Sequence, residues 1–497
     1  MLSSIANAAF PLTGLNPLLG APSTAAVAPE PTSRTSWVGR RAASTGATAS
    51  NDPCAAGPTL ETPVNGNGTV HGNYTALHNS LASSEDVESQ KETGGPGDCR
   101  GVDEVSPCGL EKNNSTDLPP LVLIHGLKGG HLRDSVTGKR RYLRVAQLFN
   151  PTRFQDPPAL PLKRDPVTGA QPKDTVVPDG IIDGVDLLGV NLASYYGPFK
   201  EEFGTSRDLK LFSYDWRRDL DESGEALEEF LEGVIEETGS TQGVQVVCHS
   251  MGGLITFPVI NRRPELFHSV LFAAAALGGG VSFLRDLAEP GHGNAMGPVN
   301  DGMFTPERWA SWPSVWSFFN IDGEREAQGK SESSWAPLTE ADGTTPVPCD
   351  FHNLEDWKRL KLGPYGPDSG ISEVTPEMEA FLQGTLTRAK AYRQKLVHNP
   401  AITYPPIAVL RSDAVPTITK LTRLVPDASF DYKGAITSPG DGRITLEDTL
   451  PPRGVPVTGI VTNHADHSGI LSEFEDVKAL LGKLLAEANE RKEAPVR

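Results

Sequence analysis

Hydrophobic and polar positions change rhythm near Leu118. Before it neither a helical nor a strand period shows; after it short apolar runs alternate with helix-spaced patterns. Leu121–His125, following Pro119-Pro120, is a continuous apolar run of the kind that forms a buried strand. Leu209–Tyr214 predicts a second strand. Leu227, Phe230, Leu231, Val234 and Ile235 then share one face of a helix. Val244–Val247 predicts a third strand, running through Ser250 into a helix that ends near Asn261. His268–Ala275 predicts a fourth strand. Ile407–Leu410 and Val455–Val461 resume the pattern, and a helix from about Leu471 to Glu490 closes it. This alternation predicts the α/β class, a mostly parallel central sheet with helices on both faces.

Two stretches break the rhythm and read as cap or lid insertions. One covers about 131–200 and is studded with prolines between Pro151 and Pro178. The other covers about 280–400 and holds five of the seven tryptophans. The catalytic domain is expected over 117–490, with 491–497 as a short tail. Residues 1–116, rich in Ser, Ala, Thr, Gly, Pro and Asn, read as a disordered low-complexity region. The first fifty residues set one acid, Glu30, against Arg34, Arg40 and Arg41. That balance fits an organelle transit peptide or a plain polar tail, and both readings stay open. Sequons at Asn67, Asn73, Asn113 and Asn114 matter only on a secretory route.

Composition narrows the function classes. A formal net charge of −18 over 497 residues disfavours a nucleic-acid partner, because phosphate contacts need an excess of Lys and Arg. Five cysteines, three of them in the N-terminal region, do not supply a disulfide framework for the core. No uncharged apolar run is long enough to predict a membrane-spanning helix.

The strongest chemical signal is Val246-Val247-Cys248-His249-Ser250-Met251-Gly252-Gly253. A buried strand runs straight into a serine and small residues follow. This is the G-x-S-x-G elbow with Cys248 in place of its first glycine. The sharp turn presses the positions two before and two after the serine against neighbouring backbone, so both must be small. It also lifts the hydroxyl clear of the sheet and aims the following N–H groups at a reacting carbonyl. Ser250 is therefore the candidate nucleophile, and the adjacent Cys248 suggests sensitivity to thiol reagents. The loop His125-Gly126-Leu127-Lys128-Gly129-Gly130 matches an oxyanion loop, with the backbone N–H groups of Leu127 and Met251 as the expected donors.

The triad order in such folds is serine, acid, histidine. His467, in Asn463-His464-Ala465-Asp466-His467-Ser468, is the expected general base, with His464 as the alternative. Two acids compete. Asp413 lies just past Ile407–Leu410, and position alone favours it; Asp441 stands in Ser438-Pro439-Gly440-Asp441-Gly442. No metal and no cofactor are expected: His464, Asp466 and His467 have neither HExxH spacing nor a cysteine partner.

These stretches together resemble the lecithin:cholesterol acyltransferase family. The likeness rests on His125–Gly130 (where the family typically has Pro-Gly), Tyr214-Asp215-Trp216-Arg217, His249–Gly253, and Gly440-Asp441-Gly442 followed by Asp466-His467-Ser468. Trp312-Pro313-Ser314-Val315-Trp316 adds a weaker echo. The likeness runs discontinuously over about 118–485. It implies the α/β-hydrolase fold and puts Asp441 ahead of Asp413 as the acid, although Arg443-Ile444 stand where the family has Thr-Val. It also implies an acyl-enzyme at Ser250, formed from a glycerolipid or phospholipid donor and discharged to a lipid alcohol. Discharge to water, as in a phospholipase or lipase, is the alternative; a catalytically silent lipid-binding relative is the second. Peripheral contact with membrane would follow from such partners. Asp215 and Arg217 are expected to be a buried ion pair around a core Trp216. For Phe304, Trp309, Trp312, Trp316, Phe318 and Phe319 two readings compete, cap core and a surface dipping into lipid.

Overall fold

The computed structural model describes residues 118–142, 159–187, 190–289, 304–321, 324, 336–423, 425 and 429–493. The N-terminal region, with its targeting reading and sequons, lies outside the described residues, as do residues 494–497.

Six strands build the central sheet: β1 (Leu121–Ile124), β2 (Leu209–Phe212), β3 (Val244–His249), β4 (Phe267–Ala273), β5 (Ile407–Ser412) and β6 (Gly459–Asn463). They lie in the order β6-β5-β4-β3-β1-β2, and every pairing is parallel. Successive side chains of a strand face opposite ways, so the sheet divides the interior in two. Val122, Ile124, Val246, Val270 and Val409 face a core closed by α2 (Leu220–Thr238) and α3 (Met251–Arg262). Leu121, Leu123, Val247, Leu271, Ala408 and Leu410 face a second core, closed by α1 (Gly197–Gly204) and α5 (Phe474–Glu493). This is the α/β-hydrolase fold.

The strand order also locates the site. The chain goes from β1 outward to β2, then crosses back to β3 on the other side of β1. Connections leaving β1 and β3 therefore diverge, and open α/β sheets bind ligands in the crevice at such a switch point.

Helix α2 stops at Gly239, whose φ of 67° is left-handed. Helix α3 contains Pro258, which has no N–H to give to the carbonyl of Leu254. The hydroxyl of Tyr392, on α4 (Pro376–Arg393), donates to that carbonyl at 2.7 Å instead. The helix behind the candidate nucleophile is thus tied to the second insertion.

Several expectations shift. The second strand ends at Phe212, before Tyr214, because Ser213 and Tyr214 turn toward the loop after β1. The strand expected over Val455–Val461 starts only at Gly459, after Pro456, which has no N–H for a ladder. The final helix starts at Phe474, after a 3-10 turn over Ile470–Ser472. Val176–Ile181, inside the proline-studded stretch, is a strand in a small antiparallel sheet with Gly130–Asp134 and Arg140–Tyr142. A hairpin of Thr417–Thr422 and Asp431–Ser438, which the sequence pattern did not predict, carries the chain to Asp441. The lipid-dipping reading of the aromatic segment is corrected. Phe304, Trp309, Trp312, Trp316, Phe318 and Phe319 are each at most 2% exposed. They pack as core, Trp312 edge-on to Trp216 at 5.0 Å between ring centres.

Candidate active site

Ser250 stands between β3 and α3 with φ 54° and ψ −121°. A non-glycine residue reaches this region only when its surroundings over-determine it, at a cost of about 1–3 kcal/mol. The surroundings are glycines. A Cβ on Gly252 would lie 2.9 Å from the carbonyl oxygen of His125, and one on Gly253 would lie 2.5 Å from Cβ of Ala275. One on Gly126 would lie 2.7 Å from Cβ of Ser250. The glycine loop after β1 and the elbow after β3 therefore touch through bare backbone.

The late part of the chain supplies the imidazole. His467 Nε2 is 2.9 Å from Ser250 Oγ, and its Nδ1 is 2.8 Å from Asp441 Oδ2. The other carboxylate oxygen of Asp441 accepts backbone N–H bonds from Arg443 at 2.8 Å and Ile444 at 2.7 Å. Burial pushes the Asp441 carboxyl up, but the His467 charge and hydrogen bond and the two backbone donors outweigh it. Its pKa falls below the ordinary carboxylate value. Asp441 N–H is bonded to the carbonyl of Ile444, and the Asp441 carbonyl accepts from His467 N–H at 3.0 Å. Acid and base are thus joined through backbone as well as side chain. An ionised carboxylate on Nδ1 keeps that nitrogen protonated and leaves Nε2 free to take the serine proton.

The Tyr214–Arg217 segment holds the glycine loop. Tyr214 donates its hydroxyl to the His125 carbonyl at 2.9 Å, and Trp216 donates Nε1–H to the Gly130 carbonyl at 2.9 Å. The His125 ring stacks on Tyr214 at 4.2 Å, and burial brings its pKa down to about 4. Arg217 is fully buried and paired with Asp215 at 2.6 Å and Asp174 at 3.1 Å. Ser314, in the aromatic insertion, donates to the Trp216 carbonyl at 2.7 Å. Lys128, on the loop at φ 63°, lies over the rings of Phe304 and Trp309 at 4.6 and 5.0 Å. Burial brings its ammonium down to about 8.

Of the residues expected from sequence, Ser250, His467 and Asp441 come together in one hydrogen-bonded line. Leu127 and Met251 sit in the two turns that meet there, each directly after a residue of the contact between Gly126 and Ser250. Gly126 N–H is already bonded to the Tyr196 hydroxyl at 2.8 Å. Asp413 and His464 are elsewhere. They bond each other at 2.6 Å, with the His464 side chain 85% exposed. Cys248 is wholly buried, its Sγ 3.5 Å from the Leu271 carbonyl, and burial pushes its thiol well up. That corrects the expected thiol sensitivity, which needs an accessible thiolate. Sequence reasoning missed Tyr196 and the clamping role of Tyr214 and Trp216. The Tyr-Asp-Trp-Arg stretch carried a signal; Tyr196 carried none.

Parts of the chain are similar to known proteins. The sequence model of the lecithin:cholesterol acyltransferase family matches residues 200–297, which include β3, Ser250 and α3. An uncharacterized protein of Saccharomyces cerevisiae is 23% identical over 433 residues, 75% of this chain; the chain spans 62% of that relative's length. Among solved structures, the Tle4-Tli4 complex aligns at a TM-score of 0.47 and 12% identity, over 76% of this chain and 99% of that one. The mature Bacillus licheniformis lipase BlEst2 aligns at 0.29 and 13%, over 75% and 94%. The Paleococcus ferrophilus monoacylglycerol lipase aligns at 0.27 and 12%, over 74% and 96%.

Proposed function

We propose that this chain, which resembles the lecithin:cholesterol acyltransferase family over residues 200–297, moves an acyl group from a glycerolipid to a lipid alcohol through an ester on Ser250. One observation supports the ester on Ser250: the line from Asp441 through His467 to Ser250, with spacings of 2.8 and 2.9 Å.

His467 Nε2 takes the Ser250 proton as Oγ adds to the ester carbonyl of the donor. The carbonyl oxygen becomes an alkoxide and is met by the Leu127 and Met251 N–H groups, each such donor lowering the barrier by about 3 kcal/mol. The tetrahedral species collapses, and His467 passes its proton to the departing glycerolipid oxygen. The acyl group is left on Ser250. The acceptor alcohol then gives its proton to His467 and adds to the acyl carbonyl. Collapse of that second tetrahedral species returns the proton to Ser250 Oγ. Asp441 stays ionised throughout and stabilises the imidazolium formed in each half. Water in the acceptor position gives hydrolysis by the same steps.

The test supplies a phospholipid labelled in its acyl chains, with and without a long-chain alcohol. A labelled ester that appears only with the alcohol, and disappears in Ser250→Ala, is the expected result. Free fatty acid as the sole product in both arms would sink the transferase reading and leave the hydrolase. Product formation that survives Ser250→Ala would remove Ser250 from the chemistry.

A further inference from the structure

His249, next to the nucleophile, takes no part in the chemistry just described, yet it bridges two arms of the site. Its Nε2 is 2.9 Å from the carbonyl oxygen of His467, and its Nδ1 is 2.7 Å from the Tyr196 hydroxyl. The same hydroxyl accepts the Gly126 N–H at 2.8 Å. The proton directions have one solution. A carbonyl only accepts, so His249 carries its proton on Nε2. Nδ1 is then an acceptor and takes the Tyr196 O–H, whose oxygen remains free to accept from Gly126. Burial brings the His249 pKa down to about 3, consistent with a neutral ring of fixed tautomer.

We propose that Tyr196 and His249 are positioning residues, which set the spacing between the oxyanion loop and the general base through the string Gly126 N–H, Tyr196 O–H, His249 and His467 C=O. The inference rests on Ser250 being the nucleophile. The two ends of the string belong to parts of the chain that must both stay near the Ser250 hydroxyl: Gly126 just precedes Leu127, and the His467 ring contacts Oγ. Among the described residues, His249 is the one side chain bonded to both the His467 carbonyl and Tyr196. Tyr196 and His249 are buried. An error of about 1 Å at a reacting centre costs rate by up to about a hundredfold without weakening ground-state binding. Loss of the string therefore falls on kcat and spares KM.

The experiment follows the rate of Ser250 phosphonylation by a fluorophosphonate probe, beside kcat and KM on the lipid substrate. Tyr196→Phe keeps the ring and removes only the hydroxyl. It is expected to slow both labelling and kcat about 10- to 100-fold with KM within about twofold. His249→Leu is expected to do the same. The double variant is expected to fall no further than the slower single, because both changes break one string. Nitrogen NMR of the His249 ring is expected to show the Nε2–H tautomer in the parent protein, a readout that holds even if His249→Leu fails to fold. Wild-type labelling by Tyr196→Phe, single losses that multiply in the double, or an Nδ1–H tautomer in the parent would each overturn the inference. Failure of the parent protein to be labelled at Ser250 would instead overturn the assignment of the nucleophile.

Discussion

Ser250 holds a left-handed backbone that costs energy in isolation, and the residues around it show what stabilises it. Gly126, Gly252 and Gly253 leave no Cβ between the elbow and its neighbours, and the Ser250 N–H is bonded to the Ala273 carbonyl at 3.0 Å. The two candidate acids separate at this scale. Asp441 is buried, bonded to His467, and held by two backbone donors; the Asp413 carboxylate is bonded to the exposed His464 at the surface. Asp441→Asn leaves Nδ1 facing an amide that can reverse, which favours the wrong tautomer. A fall in kcat on the order of 10⁴-fold is expected, as in other triads of this kind. Asp413→Asn and His464→Ala are expected to leave kcat within about twofold. Steady-state rates of the three variants check this, and a large loss in Asp413→Asn with none in Asp441→Asn would reverse the assignment.

At the scale of elements, the site depends on contacts between segments that each look ordinary. Tyr392→Phe removes the donor that replaces the missing Pro258 N–H and leaves the buried Leu254 carbonyl unpaired. A loss of about 1–3 kcal/mol in urea unfolding is expected, with a matching fall in the midpoint. Gly126→Ala drives a methyl against Cβ of Ser250 and is expected to cut activity far more than stability, since only the loop must move. Rates and unfolding midpoints measured on the same preparation separate the two effects. The elbow, the glycine loop and the Asp441 turn were legible in the sequence because each needs particular residue types at fixed spacing. Helix α4 also left a trace: Thr375 as cap, Pro376 at its first turn, then Met378, Phe381, Leu382, Leu386 and Ala389 on one buried face. That trace lies inside a long insertion of loop-like composition, which masked it. Tyr196 left none, since it meets His249 across 53 residues of chain and only folding brings them together.

For the whole molecule, the parallel sheet gathers the ends of β1, β3, β5 and β6 on one edge, and the buried histidines make its stability depend on acid. Burial brings His125, His268 and His352 down to about 4 and His249 to about 3. Their pKa values are lowered on folding, so the unfolded chain binds protons that the native state refuses. The contribution is full above about pH 6.5 and is lost as pH falls toward about 4, by up to about 1.4 kcal/mol per pH unit for each ring. The unfolding midpoint is expected to drop from pH 6.5 to 4.5; a flat or rising midpoint would contradict it. Strand alternation foretold this sheet, whereas the small antiparallel sheets depended on pairings distant in sequence. Ser250 and His467 are 217 residues apart and meet only because the sheet brings them there. The measurement that bears most directly on this meeting is mass spectrometry of peptides after fluorophosphonate treatment. One adduct is expected, on the peptide holding Ser250, absent in Ser250→Ala and formed far more slowly in His467→Ala. An adduct on another residue, or one formed at the parent rate in His467→Ala, would contradict it.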